Sequence, residues 1–260
     1  MITMPEKLSI HVPCIIEKDG VFSSSEHEVV IETPYSLWVN GRQILNVMTS
    51  PNQLEDFVVG YLYTEGLIKK VDNIESLQIE GQTIRVLITE KIHIRGRKKT
   101  ILSGCGGDSS SFDITRLPKV QSDLILDPAW LHTALKIVLD SELHVKTGGI
   151  HVVGLISSTE IIVKTEDIGR HNALDRVIGY ALKTEVDLSR TCALISGRIS
   201  SEMSRKCILA GIPIIASRGA TTSLAIESGN ATGLTIIGFI RGGKMNIYST
   251  PGRIIGAISE

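Results

Sequence analysis

The second half of the chain alternates apolar and amphipathic segments, and this alternation limits the possible folds more than any other feature. The apolar segments predict strands, at residues 150–157, 160–165, 191–196, 212–217, 235–241 and 245–248. The amphipathic segments predict helices, at residues 128–139, 172–184, 200–209 and 222–228. Strands separated by helices of this length form a largely parallel or mixed sheet with helices on both faces. We therefore expect an α/β fold for this half.

The first half has a different pattern, in which β-strands surround one helix. Residues 8–48 read as strands, with Asn40-Gly41 as a hairpin turn, and residues 74–80 and 83–89 form a second β pair. A smaller N-terminal α+β domain is therefore predicted.

The helix of this half is predicted over residues 52–67. Ser50 is its expected N-cap, Pro51 its first residue, and Gly66 marks its end. The predicted domains are residues 1–118 and residues 119–260, with irregular chain after residue 113.

Bulk composition limits the classes of partner. The chain has 260 residues, 42% of them hydrophobic and 21% charged, which is typical of a folded protein of one large or two modest domains. The formal net charge of −1 gives no basic field for a nucleic acid. Apolar runs fall short of the ~18–20 residues that span a bilayer, and the N-terminus lacks a signal-peptide pattern. We expect a cytoplasmic protein that binds neither nucleic acid nor membrane.

Cysteine chemistry centres on Cys105. The four cysteines, Cys14, Cys105, Cys192 and Cys207, form no C-x-x-C pair, so no zinc site and no metal ligands are expected. Glycines on both sides of Cys105 allow its thiol to be exposed, and the basic residues of 95–99 would favour the reactive thiolate. The alternative is a tight glycine turn with an incidental cysteine. Cys192 and Cys207 lie in a predicted strand and helix and are expected in the core.

Four loops that follow predicted strands of the second half each combine glycine with a cation. They contribute Gly169, Arg170 and His171; Arg198; Arg218; and Arg241 with Lys244. Glycine at a strand-to-helix turn leaves backbone N–H groups free for an anion, so together the loops indicate one extended ligand such as a nucleotide diphosphate. The alternatives are ordinary helix capping, by Asn172 or Ser200, with solvated charges. His151 either lies near these loops or is a histidine of the core.

Several ordered segments resemble the FdhD family of formate dehydrogenase accessory sulfurtransferases. The most specific is Glu-Asp-Ile-Gly-Arg-His-Asn-Ala-Leu-Asp at residues 166–175. Further matches lie at residues 49–66, 148–151, 196–203, 210–213 and 238–248. The similarity runs from about residue 29 to 254.

The resemblance implies a sulfur carrier. A cysteine desulfurase would load a persulfide onto Cys105. The sulfur would then pass to the molybdenum (or tungsten) of a bis-guanine-dinucleotide pterin cofactor, before this cofactor enters the formate dehydrogenase catalytic subunit. A homodimer is expected.

The resemblance also implies a cytidine-deaminase-like α/β/α fold with a mixed sheet for the second domain. The cofactor would be a bound substrate that GDP or GMP mimics. Its expected contacts are Phe239, Ile240, Arg241, Gly242, Gly243, Lys244, Gly169, Arg170, His171, Arg198 and Arg218.

One departure from the family pattern leaves two interpretations open. Many members carry a second cysteine three residues after the first, where this chain has Asp108. A single thiolate still suffices for a persulfide carrier, although Asp108 would oppose thiolate formation if it lies close. The alternative is a chaperone that binds and delivers the cofactor without sulfur chemistry. A zinc deaminase is disfavoured because P-C-x-x-C is absent from the sequence.

Overall fold

A computed structural model of the protein describes residues 7–89 and 113–257, and the backbone alone of residues 99–101. In these ranges the first half comprises β1 (Ser9–Lys18), β2 (Val21–Val30), β3 (Thr33–Val39), β4 (Arg42–Thr49), α1 (Leu54–Thr64), β5 (Ile74–Glu80), β6 (Thr83–Ile88) and β7 (Lys99–Ile101). The second half comprises α2 (Pro128–Leu139), α3 (Glu142–Thr147), β8 (His151–Ile156), β9 (Ile161–Asp167), α4 (Arg170–Lys183), β10 (Cys192–Ile195), α5 (Ser201–Ala210), β11 (Ile214–Ser217), α6 (Ser223–Thr232), β12 (Thr235–Arg241) and β13 (Lys244–Ser249). Among the described helices, none is long and apolar enough to cross a membrane.

The first half is built on a five-stranded sheet in the order β5-β6-β3-β4-β7. The predicted hairpin between β3 and β4 is confirmed, because Asn40 and Gly41 both take the positive φ that such a turn needs. α1 covers the sheet and buries Phe57 and Leu62 against it. β1 and β2 pair with each other as a two-stranded sheet, and no other described strand joins them.

The second half is built on a six-stranded mixed sheet in the order β13-β12-β11-β10-β8-β9. β10, β11 and β12 are parallel, while β8 and β13 run antiparallel to their neighbours. Alternate side chains of β10 face opposite layers: Ala193 joins the core under α4 and α5, and Leu194 joins the core under α2. The predicted α/β fold with helices on both faces of a mixed sheet is confirmed. The domain boundary at residue 118 stays a prediction.

The start of α1 differs from the prediction. The helix begins at Leu54, and Gln53 precedes it in a left-handed conformation, so Ser50 is not its N-cap. Ser50 is held instead by the second half, since its N–H donates to Asp167 Oδ2 at 3.1 Å and its Oγ accepts from the Ile168 N–H at 3.2 Å. A long-range contact therefore replaces the local cap.

The two halves meet where α1 crosses α4. A Cβ added to Gly60 of α1 would lie 1.8 Å from the backbone oxygen of Asp175, and one added to Gly179 of α4 would lie 1.9 Å from that of Asp56. The helices therefore touch backbone to backbone, which only glycine permits at these positions.

This contact predicts that Gly60→Ala is strongly destabilising. Neither backbone can retreat without moving a whole helix, so we expect a loss of about 3 kcal/mol or more in unfolding free energy, measured by urea denaturation. Gly211→Ala is the matched control, because its Cβ meets open space and the cost comes only from its positive φ, about 1–2 kcal/mol. Equal losses for both variants would contradict the close crossing.

Candidate functional site

Strand direction brings the predicted site residues to one edge of the six-stranded sheet. β8 is antiparallel to both β9 and β10, so β9, β10, β11 and β12 all point the same way. His151 at the start of β8 pairs with Asp167 at the end of β9. We call this the loop edge: the edge where β9 to β12 end and β8 begins.

Asp167 organises the first loop of this edge. The side chain is fully buried, and its Oδ1 accepts from the Gly169 N–H at 2.7 Å and from Asn172 Nδ2 at 3.0 Å. The prediction that the Gly169 N–H is free for an anion is therefore wrong, because this N–H already donates to the carboxylate of Asp167. Asn172 is not an N-cap either: α4 begins at Arg170, and the buried Asn172 amide also donates to Met48 O at 3.0 Å.

Arg176 completes this contact between the halves. It forms an ion pair with Asp167 Oδ2, and the side chains of both residues are almost fully buried. Its guanidinium also donates to Thr49 Oγ1 at 2.7 Å and to Ser50 O at 2.8 Å, while Thr49 Oγ1 donates to Asp167 at 2.6 Å. We call Asp167, Arg176, Thr49 and Ser50 the junction network. The sequence analysis missed it, since no local spacing pairs residues 49 and 176.

A second buried pair involves Asp175, the residue just before Arg176 on α4. Lys206 Nζ of α5 contacts both carboxylate oxygens of Asp175, at 2.7 and 2.8 Å, and Thr64 Oγ1 of α1 donates to Asp175 at 2.9 Å. Burial raises the pKa of Asp175, against the attraction of Lys206. Three helices are thus joined at one carboxylate.

Arg170 and His151 converge on the loop after β10, and His171 lies against Glu202 of α5. A Cβ on Gly197 would lie 3.1 Å from His151 Cε1 and 3.4 Å from Arg170 Cδ. Because glycine has no side chain, the side chains of His151 and Arg170 can both lie against this loop. His171 Nε2 lies 3.2 Å from Glu202 Oε2, without hydrogen-bond alignment. Arg170 Nε is buried and has no hydrogen-bond partner among the described residues.

The two histidines carry no charge at neutral pH. Burial, then Arg170, Lys206 and His151, lowers the pKa of His171 to about 3 in spite of the Glu202 contact. Burial, then Arg170 and His144, also lowers the pKa of His151, which Asp167 only partly opposes. The positive charge of this cluster therefore belongs to Arg170.

The loops after β10, β11 and β12 are tied side by side. Ser217 Oγ donates to Gly197 O at 2.5 Å and accepts from the Gly219 N–H at 2.8 Å. The Phe239 N–H donates to Gly219 O at 2.9 Å. The side chains of Arg198 and Arg218 are exposed on these loops. The structure thus brings three of the four predicted loops, and Phe239, to one surface.

The fourth loop is a β-hairpin turn that begins beside this surface. Arg241 lies over the ring of Phe239, with its Cζ 5.4 Å from the ring centre. Gly242 and Gly243 form the turn with positive φ, and Arg241 to Lys244 are exposed. Ile240 is different: its side chain is 3% exposed and packs in the core, so it presents only backbone to a ligand.

A cavity of about 310 Å³ opens at the loop edge next to His151. Its apolar wall is formed by Leu139, Ile150 and Val152. Polar atoms come from His144, His151, Ser196 and Arg218, and the backbone of residues 148–149 closes it. We call it the His144 cavity. The part of the chain that the structure describes contributes no carboxylate to the lining, so the cavity suits a neutral or anionic ligand.

Cys105, Asp108 and basic residues 95–98 lie outside the described residues. The nearest described segment is β7, which pairs in parallel with β4, Ile101 opposite Val47. β7 therefore runs towards Thr49 and the loop edge. Cys192 and Cys207 are fully buried, as predicted, and burial raises the pKa of both thiols. Cys14 is partly exposed on β1.

The junction network predicts a large effect of Asp167→Asn. The variant leaves the buried Arg176 without a counter-charge, so we expect unfolding free energy to fall by about 3–5 kcal/mol in urea denaturation. Asp123→Asn is the control, since its pair with Arg190 is exposed and is worth less than about 1 kcal/mol. A loss at Asp167 no larger than at Asp123 would show that the network does not join the halves.

The low pKa of His171 predicts how stability depends on pH. The unfolded chain protonates this ring near pH 6.5 and the folded protein only near pH 3, so its contribution is complete above pH 6.5 and is lost as pH falls towards 3. NMR of the imidazole should show no titration of His171 between pH 7.5 and 5. The fall in unfolding free energy with decreasing pH should be less steep for His171→Gln than for the control His132→Gln, which replaces a histidine of α2. A titration midpoint near 6.5 would contradict the burial argument.

Comparison with known proteins gives one consistent family. The FdhD/NarQ family profile matches residues 30–255. The sulfur carrier protein FdhD of Wolinella succinogenes is 32% identical over 252 residues, which cover 92% of this chain and 88% of that protein. The protein of the same name from Staphylococcus aureus strain MRSA252 is 32% identical over 261 residues, which cover 97% of this chain and 98% of that protein.

A solved structure agrees with the fold as well. The crystal structure of a protein from Desulfotalea psychrophila, described as a formate dehydrogenase accessory protein, superposes with a TM-score of 0.81. The two are 29% identical, and the match covers 96% of this chain and all of the other.

Among the described residues, no group of three or more His, Cys, Asp or Glu could hold a metal ion.

Proposed function

The chain belongs to the FdhD/NarQ family, and from this membership we propose that it is a sulfur carrier that serves formate dehydrogenase. It receives sulfur from a cysteine desulfurase as a persulfide on Cys105. It passes the sulfur to the molybdenum or tungsten of a bis-guanine-dinucleotide pterin, which is its substrate, before that cofactor enters the formate dehydrogenase catalytic subunit.

The loading step needs one thiolate. The Cys105 thiolate attacks the outer sulfur of the desulfurase persulfide, a new S–S bond forms on Cys105, and the desulfurase cysteine leaves as a thiolate. The outer sulfur keeps its proton and its oxidation state as it moves to Cys105, and one S–S bond replaces another, so no oxidant is required. This step does not need the second cysteine that many family members carry where this chain has Asp108.

The observation that carries the proposal is the cationic surface of the loop edge. Arg170 is the first residue of α4, Arg198 and Arg218 lie on the loops after β10 and β11, and Arg241 with Lys244 lies on the hairpin next to them. The first turn of α4 adds backbone N–H groups with no side-chain cap. Fixed cations on neighbouring loops at a helix N-terminus suit the phosphates of a dinucleotide.

Topology supports a sulfur donor at the same edge. β7 runs alongside β4, which ends at Thr49 in the junction network. Cys105 follows Ile101 by four residues in the sequence. This short separation from β7 supports a carrier cysteine that serves the loop edge.

The finer parts of the proposal come from the family resemblance. They are a cytidine-deaminase-like second domain, a homodimer, and cofactor contacts at Phe239 to Lys244, with Ile240 contributing backbone alone. The second candidate function is a chaperone that delivers the cofactor without carrying sulfur. Asp108, in place of the second loop cysteine of many family members, keeps this candidate open.

Intact-mass spectrometry separates the two functions. After incubation with a cysteine desulfurase and cysteine, the wild-type protein should gain the mass of one sulfur atom, and Cys105→Ala should gain none. Cys14→Ala is the matched control and should load like the wild type, because Cys14 lies on the separate β1–β2 sheet. Loading of Cys105→Ala, or no loading of the wild type, would contradict the carrier role.

A further inference from the structure

We propose that the sheet formed by β1 and β2, residues 9–30, is an arm that binds the formate dehydrogenase catalytic subunit by inserting its apolar tip into a groove of that protein. We call these residues the β1–β2 ribbon. The inference rests on the proposed function, in which that subunit accepts the cofactor. It gives a role to a part of the chain that neither the loop edge nor the junction network uses.

The first support is the exposed apolar surface at the tip of the ribbon. Ile15 and Phe22 lie on one face and are 66% and 72% exposed, while Ile16 and Val21 lie on the other face and are 45% and 69% exposed. A cluster of large apolar side chains at the surface marks an interaction site. Because both faces of the tip are apolar, a groove that encloses the tip would bury more of it than a flat surface could.

The second support is the lack of cover over the tip. The strands of the ribbon pair with no other described strand, and all residues from 15 to 24 are exposed. The ribbon is held at its base, where the Ile31 N–H donates to Leu8 O at 2.8 Å. A two-stranded ribbon alone is at best marginally stable in water. A partner that encloses the tip would therefore supply the packing that the ribbon lacks.

The third support is the position of the base of the ribbon at the loop edge. Val30, the last residue of β2, packs against Gly149, since a Cβ on Gly149 would lie 2.9 Å from Val30 Cγ2. Gly149 lines the His144 cavity and precedes His151 by two residues. From there the ribbon extends over ten-residue strands, about 30 Å at the usual rise of a strand.

This position selects the occupant. A protein that takes the cofactor from the loop edge comes within reach of the ribbon, whereas a desulfurase has to reach only the thiol of Cys105. A second copy of this chain is a poorer fit for the tip. Its His144 cavity, of about 310 Å³, is at the small end of ligand pockets and cannot enclose four large apolar side chains.

The test is the affinity of the intact protein for the cofactor-free formate dehydrogenase catalytic subunit, measured by biolayer interferometry. Phe22→Ser should raise the dissociation constant about tenfold or more, because truncation of a large apolar side chain at the centre of an interface has an effect of this size. Leu87→Ser is the matched control and should bind like the wild type, because Leu87 is 50% exposed on β6 of the five-stranded sheet.

A second variant separates binding from the folding of the ribbon. Ser24→Arg keeps every apolar side chain of the tip and adds a charge to the face of Ile15 and Phe22. An apolar groove takes up an unpaired charge only at a high cost, so this variant should also raise the dissociation constant about tenfold or more.

Four results would overturn the proposal. They are no binding of the catalytic subunit by the wild type, wild-type affinity of Phe22→Ser or Ser24→Arg, loss of sulfur loading from the desulfurase in Phe22→Ser, and conversion of a dimer to a monomer by Phe22→Ser in analytical ultracentrifugation. The third result would assign the tip to the desulfurase and the fourth to a second copy. Failure of the sulfur-carrier role would show in the mass of Cys105 and leave the affinities of the ribbon variants untouched.

Discussion

The buried ion pair between Asp167 and Arg176 is the interaction on which the rest of the site depends. Two buried charges cost several kcal/mol in desolvation, and their mutual attraction and further hydrogen bonds must offset that cost. Here the partners come from the other half of the chain, at Thr49 and Ser50. The same carboxylate holds Gly169 and Asn172, so the contact that joins the halves also sets where α4 begins.

The charges of the protein fall into two groups with different consequences. In the interior, Asp167 with Arg176 and Asp175 with Lys206 compensate one another and hold α1, α4 and α5 together. At the loop edge, Arg170 keeps a buried Nε without a partner among the described residues, and burial keeps His171 neutral beside it. The first group explains stability; the uncompensated charge of the second explains why this edge would attract an anionic ligand.

Sequence reasoning predicted what local patterns determine. Alternating segments gave the mixed sheet and its helices, and Asn40-Gly41 gave the hairpin, because periodicity and turn chemistry are read over a few residues. Ser50 was predicted as a cap and the Gly169 N–H as free for an anion, and both predictions were wrong. The alternative interpretation of Asn172 as a cap was wrong as well. The reason is the same in each case: Asp167 takes these groups through contacts that local spacing does not reveal.

Other features needed three-dimensional packing. Gly60 and Gly179 look like ordinary helix glycines until the helices are seen to cross there. Ile240 resembles its loop neighbours in sequence, yet strand alternation turns its side chain into the core. His151 was left between two interpretations, and the structure places it beside Arg170 and the His144 cavity.

The most direct test of the account is to follow isotopic sulfur into the cofactor. The protein would be loaded with ³⁴S by a desulfurase, mixed with the bis-guanine-dinucleotide pterin and formate dehydrogenase apoprotein, and the cofactor recovered for mass analysis. The account predicts ³⁴S on the cofactor with the wild type and none with Cys105→Ala. Equal cofactor delivery without any transferred label would contradict the sulfur carrier and establish the chaperone.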